Sequence, residues 1–132
     1  DKLEGGSGDD LLYGGDDDDV LLGQSGNDFL SGGEEDDLID GGFGQDTLEG
    51  GEGKDTFIMA RNQGMDTILD FQVGTDVFGL SGGLEFAQLS FSQGVGSSEK
   101  DAFIGFVNTG ELLASLTNFQ ADTLTSESFT NV

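Results

Sequence analysis

Residues 5–58 divide, without a gap, into six nine-residue units: GGSGDDLLY, GGDDDDVLL, GQSGNDFLS, GGEEDDLID, GGFGQDTLE and GGEGKDTFI. This period constrains the fold more than any other feature, because self-similarity at a fixed short spacing means that one small structural unit is used repeatedly. Position six is always aspartate: Asp10, Asp19, Asp28, Asp37, Asp46 and Asp55. Position eight is always large and apolar: Leu12, Leu21, Leu30, Ile39, Leu48 and Phe57. Residues 1–4, DKLE, carry the phase backwards with Asp1 at position six and Leu3 at position eight, so the sequence is expected to be a piece of a longer chain.

Each unit joins a glycine-rich half, able to turn sharply through φ > 0, to about three residues of strand carrying one inward apolar side chain. A strand that short is stable only when stacked. Two units make one circuit of turn, strand, turn and strand, so residue n lies over residue n+18 at the roughly 4.8 Å spacing of neighbouring strands. One sheet then stacks Leu12, Leu30 and Leu48, and the other Leu3, Leu21, Ile39 and Phe57, face to face as a thin core. The expected fold is all-β, a parallel β-roll.

The same arithmetic aligns Asp10, Asp28 and Asp46 along one edge and Asp1, Asp19, Asp37 and Asp55 along the other. Carboxylates about 4–5 Å apart repel by about 1 kcal/mol in a water-like dielectric and by several near a protein surface. The rest of the chain offers little relief, since 27 Asp and Glu face 4 Lys and Arg for a net charge of −23. A divalent cation between successive turns reverses the sign. With no Cys and no His, thiolate chemistry, His-based catalytic sets and ordinary zinc sites fall away, and hard oxygen ligands remain. Calcium accepts about six to eight oxygens in flexible geometry, whereas magnesium demands a tight octahedron and keeps its waters. In the run Asp16 to Asp19, Asp19 is the residue in phase; Asp16, Asp17 and Asp18 raise the local field or supply extra oxygens. Such acidity, with no basic patch, also speaks against nucleic acid and anionic membrane surfaces as partners. No apolar run approaches the roughly 18 residues of a membrane span.

The six units match G-G-x-G-x-D-x-U-x, and on them the chain resembles the RTX (repeats-in-toxin), or hemolysin-type, calcium-binding repeat proteins. The resemblance implies that position-six carboxylates and turn-glycine carbonyls bind the ion. On this sequence the carbonyls fall at Gly5, Gly6 and Gly8; Gly14 and Gly15; Gly23 and Gly26; Gly32 and Gly33; Gly41, Gly42 and Gly44; and Gly50, Gly51 and Gly53. Complete sites are then expected between turns 10/28, 28/46, 19/37 and 37/55, with 1/19 truncated, for about four to six calcium ions in all. The sequence departs from the pattern at Asp17 and Glu35 in position four and at Gln24 in position two. Aspartate tolerates a left-handed backbone and glutamate does so less readily, which makes 19/37 and 37/55 the sites most in question.

Residues 61–82, RNQGMDTILDFQVGTDVFGLSG, resemble the segment that follows the repeats in serralysin-type secreted proteases, through Gly64, Asp66, Asp70, Phe71, Gly74 and Asp76. That resemblance implies terminal calcium ligands at Asp66 and Asp76, with two solvated turn aspartates as the alternative. The proteases' H-E-x-x-H zinc motif is absent, so no protease activity comes with the likeness.

Composition divides the chain in two. Residues 1–58 hold 18 Asp and Glu and 15 Gly but 3 Phe, whereas residues 59–132 hold 9, 9 and 8. A repeat domain at 1–58 and a β-rich capping region at 59–132 are expected. In the second part LEFAQLSFS alternates as a strand, and AFIGFVNTGELLASLTNF reads as a hairpin about its N-T-G-E turn. The terminal SESFTNV resembles the uncleaved secretion signals of type I exported RTX proteins; a free polar tail is the alternative. At position seven Leu11, Val20, Phe29 and Leu38 are apolar where the strand faces outward, either partly covered by their neighbours or forming a packing surface for another domain or a second copy. The functional expectation is a non-catalytic module giving calcium-triggered folding, stability and type I secretion to a larger secreted or surface protein. The rival is an auxiliary polysaccharide-binding or adhesion module. A glycosidase with paired carboxylates is disfavoured, because the acids are accounted for as metal ligands and there is no Trp for sugar stacking.

Overall fold

The computed structural model describes all residues, 1–132, and contains strands, turns and four short 3₁₀ turns but no α-helix. The strands are β1 (Lys2–Ser7), β2 (Leu11–Gly15), β3 (Val20–Ser25), β4 (Phe29–Gly33), β5 (Leu38–Phe43), β6 (Thr47–Gly51), β7 (Thr56–Met59), β8 (Asp66–Ile68), β9 (Val77–Leu80), β10 (Leu89–Gln93), β11 (Ala102–Phe106), β12 (Leu112–Leu116) and β13 (Phe129–Asn131). Alternate strands belong to alternate sheets: one runs β1-β3-β5-β7-β9-β13, the other β10-β11-β12-β8-β6-β4-β2.

The register is the one the period dictates. Leu3 pairs with Leu21, Leu21 with Ile39 and Ile39 with Phe57 in one sheet; Leu12 pairs with Leu30 and Leu30 with Leu48 in the other, all in parallel. Every step is 18 residues, the length of one circuit. These side chains face inward and form the buried core between the sheets. Beyond residue 58 both sheets continue, but the step changes: Leu48 is followed by Ile68 and Phe57 by Phe78, steps of 20 and 21 residues.

The C-terminal strands close this end of the roll. The hairpin of β11 and β12 is antiparallel, as the polar turn between its apolar runs predicts, and β12 lies parallel to β8 so that it extends the seven-stranded sheet. The stretch LEFAQLSFS is a strand only from Leu89; Phe86–Gln88 is a 3₁₀ turn in which Glu85 and Gln88 cap one another. The tail is not free. Phe129 of β13 pairs with Phe78 of β9, and its ring lies 5.4 Å from that of Phe78, 5.2 Å from Phe86 and 5.6 Å from Phe91. Gln93 ties the capping loops together, its amide N–H donating to the carbonyls of Asp101 and Phe119 at 2.9 and 3.0 Å while its Oε1 accepts from Ala121.

Of the outward apolar residues at position seven, Val20, Phe29 and Leu38 are half-buried by neighbouring side chains, while Leu11 on the edge strand β2 is 70% exposed, beside Tyr13. No helix is long and apolar enough to cross a membrane.

Candidate metal centres

Stacking at 18 residues brings the position-six aspartates into two columns, and each is tied to the next through the backbone. The amide of Asp10 donates to Asp28 Oδ1 at 2.7 Å, that of Asp28 to Asp46 at 2.8 Å, and that of Asp46 to Asp66 at 3.2 Å. In the second column Asp19 donates to Asp37 at 2.8 Å, Asp37 to Asp55 at 3.1 Å and Asp55 to Asp76 at 3.1 Å. Asp66 and Asp76 therefore extend the columns by one member each, across the longer steps. Asp1 meets Asp19 through its amino group, which lies 2.6 Å from Asp19 Oδ1.

Asp28, Asp37, Asp46 and Asp55 each spend one carboxylate oxygen, Oδ1, in such a bond, whereas Asp10 and Asp19 head their columns and accept no backbone amide. In all six, Oδ2 is buried and has no hydrogen-bond partner. A buried oxygen without a donor is costly, and a buried ionised carboxylate more so. The fold leaves such an oxygen in each of six successive repeats. In the last circuit Asp76 differs, its Oδ2 accepting from the Gln72 amide at 2.8 Å.

The first-position glycines show where these oxygens point. A β-carbon on Gly5 would lie 2.8 Å from Asp10 Oδ2 and 2.9 Å from the Gly23 carbonyl. On Gly14 it would strike Asp19 Oδ2 and lie 2.5 Å from the Gly32 carbonyl, and Gly23 and Gly32 repeat the pairing with Asp28 and the Gly41 carbonyl, and with Asp37 and the Gly50 carbonyl. At Gly41 and Gly50 the orphaned oxygens of Asp46 and Asp55 fill the same place. So a carboxylate oxygen from one circuit and a carbonyl from the next converge where a methyl group would otherwise sit.

The remaining turn glycines, Gly6, Gly15, Gly33, Gly42 and Gly51 at position two and Gly8, Gly26, Gly44 and Gly53 at position four, all have positive φ. At Gly26 the requirement is double: φ is 140°, and a β-carbon would lie only 2.0 Å from the Gly8 carbonyl. Asp17, Gln24 and Glu35, standing where the pattern has glycine, hold the same left-handed backbone at φ 74°, 77° and 75°. The turns leading to Asp19, Asp28 and Asp37 thus keep the left-handed backbone of the others.

Burial pushes the Asp37, Asp46, Asp55, Asp66 and Asp76 carboxyls above their usual range, Asp55 to about 7. Neighbouring carboxylates add to the rise, Asp76 and Asp37 for Asp55 and Asp46 for Asp66. Nowhere do three acidic side chains converge on one point. A cation held here would draw on at most two carboxylates, leaving backbone carbonyls to complete its shell. A donor set made wholly of oxygen fits calcium.

Two features escape a reading of position six alone. Asp18 spends Oδ1 on the amide of Asp36 at 3.1 Å, one member of a column at position five that a search for recurrence at n+18 would have found. Asp70 accepts from the amides of Gly50 and Gly51 at 2.9 and 2.8 Å; it lies outside the period and carries no such signal.

Comparison with known proteins agrees with this geometry. The RTX calcium-binding nonapeptide repeat matches residues 1–30 and 22–57, in four copies. Among solved structures, the AlgE6R3 subunit of the Azotobacter vinelandii mannuronan C5-epimerase is 31% identical with a TM-score of 0.70, over 94% of this chain and 78% of that one. The AlgE6R2 subunit of the same enzyme is 28% identical with a TM-score of 0.64, over 99% and 92%. The extracellular lipase LipA of Serratia marcescens shares the fold, with a TM-score of 0.70 at 21% identity; 98% of this chain covers 20% of the lipase. No curated protein sequence matches. The repeat match, the identity to AlgE6R3 and the calcium-suited columns of aspartate lead to one conclusion: this chain belongs to the RTX family of calcium-binding nonapeptide-repeat proteins, as a β-roll module.

Proposed function

We propose that this module folds on calcium and so makes the folding of a larger secreted or surface protein conditional on the ion. The observation that carries the reading is the set of six buried Oδ2 atoms left without a donor in Asp10, Asp19, Asp28, Asp37, Asp46 and Asp55. The ligands we assign are these carboxylates together with Asp66, Asp76 and the turn-glycine carbonyls. They lie together only in the folded chain, so the free energy of binding becomes free energy of folding. Without the ion, residues 1–58, rich in glycine and acid, stay expanded. At the roughly millimolar calcium to which extracellular modules are tuned, they close into the roll. Counting one ion for each junction, 10/28, 28/46, 46/66, 19/37, 37/55 and 55/76, gives six, the upper end of the expected four to six.

Residues 59–132 serve in this reading as the cap on which the roll is built, with a non-catalytic role. Passage through type I export machinery, and the tail as its signal, rest on family resemblance; an expanded chain in a low-calcium cytosol suits that route. A second reading draws on the identity to the epimerase subunits: an auxiliary module of a polysaccharide-acting enzyme. A net charge of −23 works against an anionic polysaccharide, and glycan binding measured in calcium separates the two readings.

The deciding experiment is far-UV circular dichroism during a calcium titration, with magnesium as control. Strand signal gained with calcium and not with magnesium supports the proposal. A spectrum that chelator leaves unchanged defeats it.

A further inference from the structure

The position-six columns leave the preceding residue unexplained. Position five carries Asp9, Asp18, Asn27 and Asp36, and each side chain accepts the backbone N–H of position five in the next circuit. Asn27 donates to Asp9 Oδ1 at 2.8 Å, Asp36 to Asp18 at 3.1 Å, Gln45 to Asn27 at 2.9 Å and Lys54 to Asp36 at 2.8 Å. The direction is opposite to that at position six, where the later circuit's carboxylate accepts from the earlier circuit's amide. Two consecutive amides thus point opposite ways along the roll, each held by a side chain.

This has a consequence for the turn oxygens. The peptide is planar and trans, so an N–H at position five that faces back along the roll sends the carbonyl of position four forward. Accordingly a β-carbon on Gly53 would lie 2.2 Å from the Glu35 carbonyl, and β-carbons on Gly26 and Gly44 would lie 2.0 and 1.7 Å from the Gly8 and Gly26 carbonyls. These are the same junctions at which the orphaned Oδ2 atoms lie.

We infer that the Asp and Asn side chains at position five are positioning residues for calcium: uncharged acceptance of one hydrogen bond, rather than ligation or attraction of the ion, is their role. Asn27 makes the bond without a charge, in register with the aspartates that make it with one. All four side chains are exposed, where solvent and salt screen their charge. The inference rests on the calcium reading above and adds to it a residue class that the repeat leaves variable.

The test separates acceptor from charge. Asp36→Asn keeps the acceptor and loses the charge; Asp36→Ala loses both. Each is titrated with calcium by circular dichroism, and hydrogen exchange at the Lys54 amide is followed in the calcium-saturated protein. Asp36→Ala is expected to raise the calcium midpoint roughly two- to tenfold, the span of one exposed hydrogen bond, and to speed exchange at Lys54. Asp36→Asn is expected to match the unmodified chain in both. Equal shifts in the two variants would assign the residue to charge or ligation, and no shift in either would make the bond idle; both results overturn the inference. If Asp36→Ala does not fold, Asn27→Ala with the Gln45 amide as reporter makes the same measurement on the other edge. An unmodified chain that gains no structure with calcium would instead remove the calcium reading, a failure distinct from these.

Discussion

Glu35 and Gln24 occupy backbone that suits glycine, with φ of 75° and 77°. A β-carbon there costs about 1 kcal/mol or more. Glu35→Gly is expected to stabilise the calcium-loaded protein by roughly 0.5–1 kcal/mol once the freer unfolded chain is set against the relieved strain, seen as a higher urea midpoint. Asp28 and Asp10 should differ for another reason. Asp28 is bonded both to Asp10 and to Asp46, so it belongs to two junctions, while the Asp10 carboxylate stands at the start of its column. Asp28→Ala is therefore expected to raise the calcium midpoint more than Asp10→Ala; equal midpoints would contradict the stacking. The raised carboxyl groups set a pH dependence. Folding lifts Asp55 from 3.8 to about 7, so the folded state holds more protons than the unfolded one between these values. The contribution to stability is complete below 3.8 and lost as pH rises through about 7. In chelator, strand signal should grow as pH falls through that window. In calcium the dependence reverses, because protons compete with the ion and the midpoint rises on acidification.

At the scale of strands, the inward row of the six-stranded sheet reads Leu3, Leu21, Ile39, Phe57, Phe78, Phe129. Its first four members are legible in the sequence, since an 18-residue circuit with one apolar site per strand admits a single register. So are the columns from Asp10 to Asp55, which follow from the same count. Phe78 and Phe129 are not, because the steps that reach them are set by packing rather than by local pattern. Phe78 arrives after a longer loop, and Phe129 returns from the far end of the chain to the aromatic cluster with Phe86 and Phe91. The seven-residue tail pattern contains no sign of that partner. Phe129→Ala is expected to destabilise the protein by about 2 kcal/mol, less than a fully buried phenylalanine because the ring is half-buried. The Val132 amide, bonded to the Leu80 carbonyl at 3.1 Å, should lose exchange protection in the same variant.

Over the whole molecule the core is only two side chains deep, and each circuit touches just the one before and the one after. Such a chain is close to one-dimensional, and its stability is a sum of neighbour terms. Drawn out from its first residue by a tether, it should not give way all at once. Coils would come off singly from the N-terminal end, each freeing 18 residues, or about 60 Å of slack. A force trace taken in calcium should show steps of that length while the coils of residues 1–58 come off, and one taken in chelator should stretch without them.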